Sequence, residues 1–207
     1  MRKFLIGAAA LLLNISIGYG QDLSFGVKAG GTYSYYSAGG TSADGFGFHV
    51  GGIFNAGFSN AFNLRAELLV SNRAIQNDYE TTLFGVTTSY ESHSMPFYLA
   101  LPILYNYKVN DKLSFYAGPQ FSFLLSNSVR SRSYVNGNVV TDIKVSGKDA
   151  MTFKRKFELG MAVCTEYNFS DNVGLGLRYI RGLQSLTDSE TADDFYNGIQ
   201  VSIVVKL

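Results

Sequence analysis

Leu23-Ser24-Phe25-Gly26-Val27-Lys28-Ala29-Gly30-Gly31-Thr32-Tyr33-Ser34-Tyr35 is the stretch that decides the fold. Leu23, Phe25, Val27, Ala29, Tyr33 and Tyr35 fall on one face of an extended chain. Ser24, Gly26, Lys28, Gly30, Thr32 and Ser34 fall on the other. Side chains of a strand alternate between two faces, whereas those of a helix repeat every 3.6 residues, so this stretch reads as a strand with one apolar face. The pattern returns at 46–58, 62–71, 97–107, 113–123, 157–167, 173–179 and 199–207, and the sequence therefore predicts eight strands. No helical period competes with them after residue 20.

The connections alternate in length. Residues 59–61, 109–112 and 169–172 form tight turns, and 36–45, 74–92, 126–153 and 184–196 form longer links. Short turns on one rim and long loops on the other are the pattern of membrane barrels, with the short turns periplasmic and the long loops outside the cell. Two of the long links carry hairpin signals. Asn136-Gly137 sits between β-formers at 134–140, and Gly85 sits within 81–88, so part of these links is predicted to project beyond the membrane as a sheet.

Alternation alone does not separate a membrane barrel from a soluble, lipocalin-like ligand carrier. The chemistry of the polar face does. A soluble barrel needs a charged, hydrated exterior, but here the polar face is mostly Gly, Ser, Thr and Asn. Such small residues fit the crowded interior of eight strands. Charged residues make up 16% of the chain, against roughly 25% in soluble domains. Phe58, Phe62, Tyr105, Tyr107, Tyr167 and Phe169 adjoin the tight turns. Tyr33, Tyr35, Phe46, Phe48, Phe121, Phe123 and Tyr179 lie near the long-loop ends. Two such girdles mark the two membrane–water interfaces. The expected fold is thus all-β: an antiparallel eight-stranded transmembrane β-barrel with short periplasmic turns and long extracellular loops. Pro102 and Pro119 fall inside predicted strands, where each removes a ladder donor, and bulges or local twist are expected there.

Arg2 and Lys3, an apolar run over 4–17, and Gly18-Tyr19-Gly20 have the layout of a secretory signal peptide cleaved before Gln21. Residues 1–20 are read as the signal and 21–207 as one barrel domain. The formal net charge of +1 favours no nucleic-acid partner. A single cysteine, Cys164, rules out an internal disulfide framework and any multi-cysteine metal site.

Three runs carry a family likeness: Leu99-Ala100-Leu101-Pro102-Ile103-Leu104-Tyr105-Asn106-Tyr107, Phe115-Tyr116-Ala117-Gly118-Pro119, and Val173-Gly174-Leu175-Gly176-Leu177-Arg178-Tyr179-Ile180-Arg181-Gly182-Leu183. In order and spacing the chain resembles the Bacteroidetes-type outer-membrane β-barrels, called porin-family or PorT-like. The resemblance implies location and fold, tolerates proline at 102 and 119, and raises a part in a protein-secretion apparatus as one functional reading. The chain ends Val205-Lys206-Leu207, where many outer-membrane barrels end in an aromatic residue.

By parity Lys28, Arg65, Glu67, Glu158, Glu166 and Arg178 face the lumen, with Cys164 beside them. Mixed charges in a closed lumen neutralise one another and make a plug, or else they line a narrow ion path for small solutes. Arg130, Arg132, Lys144, Lys148, Lys154 and Arg155 in and beside the third loop are placed to meet lipopolysaccharide phosphates. Asp188, Glu190, Asp193 and Asp194 cluster in the last loop without the spacing of a calcium site. Glu91-Ser92-His93 is no triad, because neighbouring strand residues point to opposite faces. The expected protein is a non-enzymatic, monomeric surface or envelope-integrity protein. It needs no cofactor or metal, and it touches outer-membrane lipid, lipopolysaccharide and a protein partner at its outer loops.

Overall fold

The computed structural model describes residues 22–38, 41–57, 62–147, 150, 156–184 and 195–207. The predicted signal peptide, the 59–61 turn and the acidic cluster at 188–194 lie outside the described residues. Eleven strands are present: β1 (Asp22–Ala38), β2 (Thr41–Gly57), β3 (Phe62–Asn72), β4 (Ile75–Leu83), β5 (Val86–Ser94), β6 (Phe97–Lys108), β7 (Leu113–Val135), β8 (Asn138–Gly147), β9 (Phe157–Asn168), β10 (Val173–Gly182) and β11 (Phe195–Lys206). Eight of them close into a barrel in the order β1-β2-β3-β6-β7-β9-β10-β11, every pairing antiparallel. The seam is made by β1 on β11, from Gly26↔Lys206 to Ser37↔Phe195.

Burial follows the two faces. On β10 the alternation is complete, with Val173, Leu175, Leu177 and Tyr179 exposed and Gly174, Gly176, Arg178 and Ile180 buried. Polar inside and apolar outside is stable only when the surroundings are lipid, because burying polar side chains costs energy that an aqueous exterior would not return. Small residues let the walls approach. A Cβ on inward-facing Gly51 would collide with the Leu68 carbonyl oxygen, whereas one on outward-facing Gly52 meets nothing within 4 Å.

The remaining strands leave the barrel. β4 pairs with β5, β5 with the upper half of β7, and β7 with β8, giving a four-stranded sheet beyond the extracellular rim, and the start of β4 is pinned to β2 at Asp44↔Gln76. Its two turns, Phe84-Gly85 and Asn136-Gly137, have φ of 50° and 77°, and 47° and 79°. Positive φ at both central residues is the geometry that suits a two-residue hairpin. Asn and Gly adopt it readily, but for Phe84 it is an outlier.

Three expectations need correction. The 36–45 link is not a long loop, since β1 and β2 stay paired up to Ala38↔Thr41. Small polar residues there read as loop, yet ladder bonds need no apolar side chain. Pro102 and Pro119 do not shift the register. Between Ala66↔Ile103 and Leu69↔Ala100 the β3–β6 ladder skips two pairs at Pro102, then resumes unshifted. Between Pro102↔Gln120 and Tyr105↔Ala117 the β6–β7 ladder does the same at Pro119. Each missing N–H costs a local gap, and the flanking pairs hold alignment. A bulge lies instead where β7 leaves the barrel: Phe97 pairs with Ser126 but Tyr98 pairs with Leu124, leaving Leu125 over, and a second shift farther out, between β7 and β8, leaves Val140 over.

The extra residue Leu125 inverts the strand. Directly opposed residues share a face, so Ser126 lies on the outer side with Phe97, and Leu124 on the inner side with Tyr98. Arg130 and Arg132 thus continue the outward face, together with His93, Glu91, Lys144 and Asp142 opposite them. Val129 and Val135 continue the inward face, on the side of Tyr90, Ile143 and Val145. Below the bulge the outward face of β7 is Phe115, Phe121 and Phe123; above it, that face is charged.

Candidate functional site: the lumen and the projecting sheet

Lumen charges are held from opposite walls. Near the periplasmic rim Lys206 Nζ donates to Asn168 Oδ1 at 2.7 Å and lies 3.5 Å from Glu166 Oε1. Glu166 Oε2 accepts from Arg65 Nη1 at 2.6 Å, and Arg65 Nε donates to Asn55 Oδ1 at 2.7 Å. The Arg65 guanidinium lies 4.1 Å from the centre of the Tyr116 ring. One layer up, Glu67 Oε2 accepts from Arg178 Nη2 at 2.6 Å and from Lys28 Nζ at 3.4 Å. Arg178 Nε reaches Cys164 Sγ at 3.0 Å. Above these, His49 bridges Thr32 Oγ1 at 3.0 Å and Ser202 Oγ at 2.7 Å.

The extracellular mouth is filled by Arg73, which parity did not single out. It follows the last residue of β3, and its backbone N–H donates to the Pro96 carbonyl at 3.0 Å. Its side chain turns into the lumen, where Nη1 donates to Glu158 Oε2 at 2.6 Å and Nη2 to Ser122 Oγ at 2.8 Å. The guanidinium sits 4.2 Å from the Tyr98 ring centre and 4.0 Å from that of Tyr196. A planar cation with five donors suits this slot, where aromatic faces cover it and a carboxylate neutralises it.

All six sequence-predicted lumen residues are buried, and so is Arg73. The strongest pairs run from the β3 side (Arg65, Glu67, Arg73) to β9 and β10 (Glu166, Arg178, Glu158) and tie the two walls together. Removing one member of such a buried pair leaves the other uncompensated, at about 3–5 kcal/mol. A gap bounded by Lys28, Arg65, Glu67, Tyr116, Cys164, Glu166 and Arg178 has a volume of about 10 Å³, roughly that of a single water. This is too small for a hydrated ion. Among the described residues no group of three or more His, Cys, Asp or Glu side chains is placed to hold a metal.

On the outward face of the projecting sheet Asp142 takes Arg130 in a two-pronged contact at 3.0 and 2.6 Å, and Arg132 Nε at 3.3 Å. The Arg130 hydrogen bond, with Arg132 adding its charge, holds the exposed Asp142 carboxyl at about 2, below its ordinary value of 3.8. Tyr134 donates to Glu91 Oε2 at 3.0 Å. Of the predicted lipopolysaccharide contacts, Arg130, Arg132 and Lys144 share this face, Lys144 directly opposite Arg130. Asp142 already occupies the two arginines. Lys148, Lys154 and Arg155 lie outside the described residues.

Residues 19–188 match the family described as outer membrane protein beta-barrel domain, in keeping with the closed eight-stranded barrel, polar lumen and apolar exterior. The chain belongs to that family. It is an outer-membrane β-barrel protein. Among solved structures, neisserial surface protein A is similar at 17% identity and a TM-score of 0.50, over 90% of this chain and 99% of that one. The attachment invasion locus protein Ail of Yersinia pestis is similar at 11% identity and a TM-score of 0.47, over 90% and 99%. At these identities the likeness concerns the fold alone. No sequence match was found among curated proteins.

Proposed function

We propose that this protein is a non-enzymatic, monomeric surface protein. In this reading the barrel is an anchor and the projecting sheet is the binding element. One observation carries it: the lumen is filled by ion pairs from wall to wall, while β4, β5 and β8 take no place in the closed eight-strand ring and build a sheet outside it. Chain committed to a sheet that adds nothing to the membrane seal points to a role outside the membrane. Lys144, with Lys148, Lys154 and Arg155 beyond the hairpin, would meet lipopolysaccharide phosphates at the base of the sheet, and Arg130 and Arg132 would join by exchanging Asp142 for phosphate. Residues 1–20 would serve as the export signal, and N-terminal sequencing of the mature protein should begin at Gln21.

The test is removal of 76–93 and 128–146, each replaced by a short turn. The barrel band should still shift on boiling in isolated outer membrane, while binding of whole cells to surfaces and resistance to membrane-active agents fall. Unchanged binding and envelope phenotypes with both hairpins gone would sink the proposal. The filled lumen is checked separately in planar bilayers, where the wild-type protein should give no single-channel openings.

A further inference from the structure

The projecting sheet is divided along its length. Its base carries Asp78, Glu91, Arg130, Arg132, Asp142 and Lys144, and Glu80 is the last charge toward the end. Beyond it neither 81–90 nor 133–141 contains a charged residue. At the end stand Leu83, Phe84 and Val86, with Phe84 99% and Leu83 61% exposed, and Val139 and Val140 are exposed on β8, on the far side of β7. Phe84 adopts its conformation at φ 50°, which bulky side chains avoid. An aromatic residue fully in water and on an unfavourable backbone violates two preferences at one position.

We propose that this end inserts shallowly into a neutral lipid surface facing the membrane that holds the barrel. The order of chemistry along the β4–β5 hairpin argues for lipid. First come Leu83, Phe84 and Val86, then two uncharged threonine pairs, Thr82↔Thr87 and Thr81↔Thr88. The charged base begins at the next pair, Glu80↔Ser89, with the stacked pair Tyr79–Tyr90 one step below it, ring centres 5.1 Å apart. An apolar end, an uncharged hydroxyl band and then charge is a polarity gradient that suits shallow entry into a membrane interface. The reach agrees as well: Phe84 lies two residues beyond the Thr82↔Thr87 pair, about 7 Å at strand spacing, and interfacial segments bury about 5–10 Å. The hairpin is stiffened for this, because Asn136 N–H donates to the Thr87 carbonyl at 2.8 Å and Thr87 N–H to Asn136 Oδ1 at 3.0 Å, clipping the second turn to its neck.

The inference rests on the projecting sheet being the binding element. Its test uses the absence of tryptophan from the chain. Phe84→Trp in the full-length protein, held in a nanodisc of ordinary lipid whose scaffold protein also lacks tryptophan, gives a single tryptophan emitter. On addition of vesicles of phosphatidylcholine brominated in the acyl chains, its emission should move to the blue and lose most of its intensity. Adding Leu83→Ser and Val86→Ser should abolish both changes. Wild-type nanodiscs should also float with phosphatidylcholine vesicles, and Phe84→Ser nanodiscs should not. A blue shift that grows with protein concentration without vesicles would mean a second copy is the occupant, and a shift seen only with lipopolysaccharide would mean the cell's own surface is. Either result, or no response to vesicles, overturns the proposal. Loss of the vesicle response with cell binding intact removes only the lipid partner, whereas unchanged binding by the hairpin-deleted strain removes the surface-binding role itself.

Discussion

Below Leu125, β7 turns Phe115, Phe121 and Phe123 outward and Tyr116, Gln120 and Ser122 inward. Above it, the same strand turns Arg130 and Arg132 outward and Val129 and Val135 inward. Backbone pairing is antiparallel throughout, so the two halves differ only in what surrounds them. In lipid the charged groups must be enclosed and paired; in water they are the natural exterior. One extra residue at the boundary lets a single strand satisfy both, because a one-residue slip moves every side chain to the other face.

Giving Leu125 a partner, by inserting one alanine between Phe97 and Tyr98, attacks that comparison most directly. With the bulge healed, regular alternation turns Arg130 and Arg132 inward, and the upper half of β7 must either present Val129 and Val135 outward above the lipid or lose its partners. The projecting sheet is expected to lose its protection against protease over 126–147, while the heat-shifted barrel band survives. A sheet that stays protected would show that something other than the bulge holds the inversion.

The two halves should also respond differently to loss of a charge. Glu67→Ala leaves Lys28 and Arg178 buried without their carboxylate and is expected to cost about 3–5 kcal/mol, read from urea unfolding in detergent. Asp142→Ala, in the exposed sheet, should leave the barrel's midpoint where it was. Within the barrel, adjacent glycines sharpen the contrast between inside and outside. Gly51→Ala drives a Cβ into the Leu68 carbonyl and is expected to cost roughly 1–3 kcal/mol. Gly52→Ala, facing open space, should fall within about 0.5 kcal/mol of the parent.

The smallest expected effect is a titration. Asp142 has its carboxyl depressed to about 2 from 3.8. A depressed carboxylate contributes stability above its ordinary value, and loses that contribution as pH falls toward the depressed one. Amide protection in the β7–β8 hairpin, corrected for the intrinsic pH dependence of exchange, should therefore be flat above pH 4 and fall between pH 4 and 2. Being exposed, the pair should also weaken in high salt.

Much of this was legible because period two is imposed by backbone geometry. The eight barrel strands and their facing could be read from alternation alone, and Asn136-Gly137 announced its hairpin. Arg73 escaped because it lies just past the last alternating residue of β3, where parity no longer says which way a side chain points. Tyr98 and Tyr116 escaped because aromatic residues in a membrane strand read as lipid-facing, and Tyr196 because it fell in the predicted 184–196 link, whereas here they form the walls around Arg65 and Arg73. The Leu125 bulge leaves no mark in composition; only the choice of partners on β6 reveals it.

The seam has a kinetic consequence. Most neighbouring barrel strands are close in sequence, so their ladders can form early and locally. β1 and β11 are not: the Gln200–Thr32 hydrogen bond between them joins residues 168 apart. Contacts of such separation form late, because the chain between them must be ordered before they are gained. Until that last pairing, an open sheet exposes two unpaired edges and a polar inner surface, which lipid does not tolerate. Closure should therefore be the slow step of assembly. It should also be all-or-none, so that weakening β11 slows arrival of the folded form far more than it loosens the finished barrel.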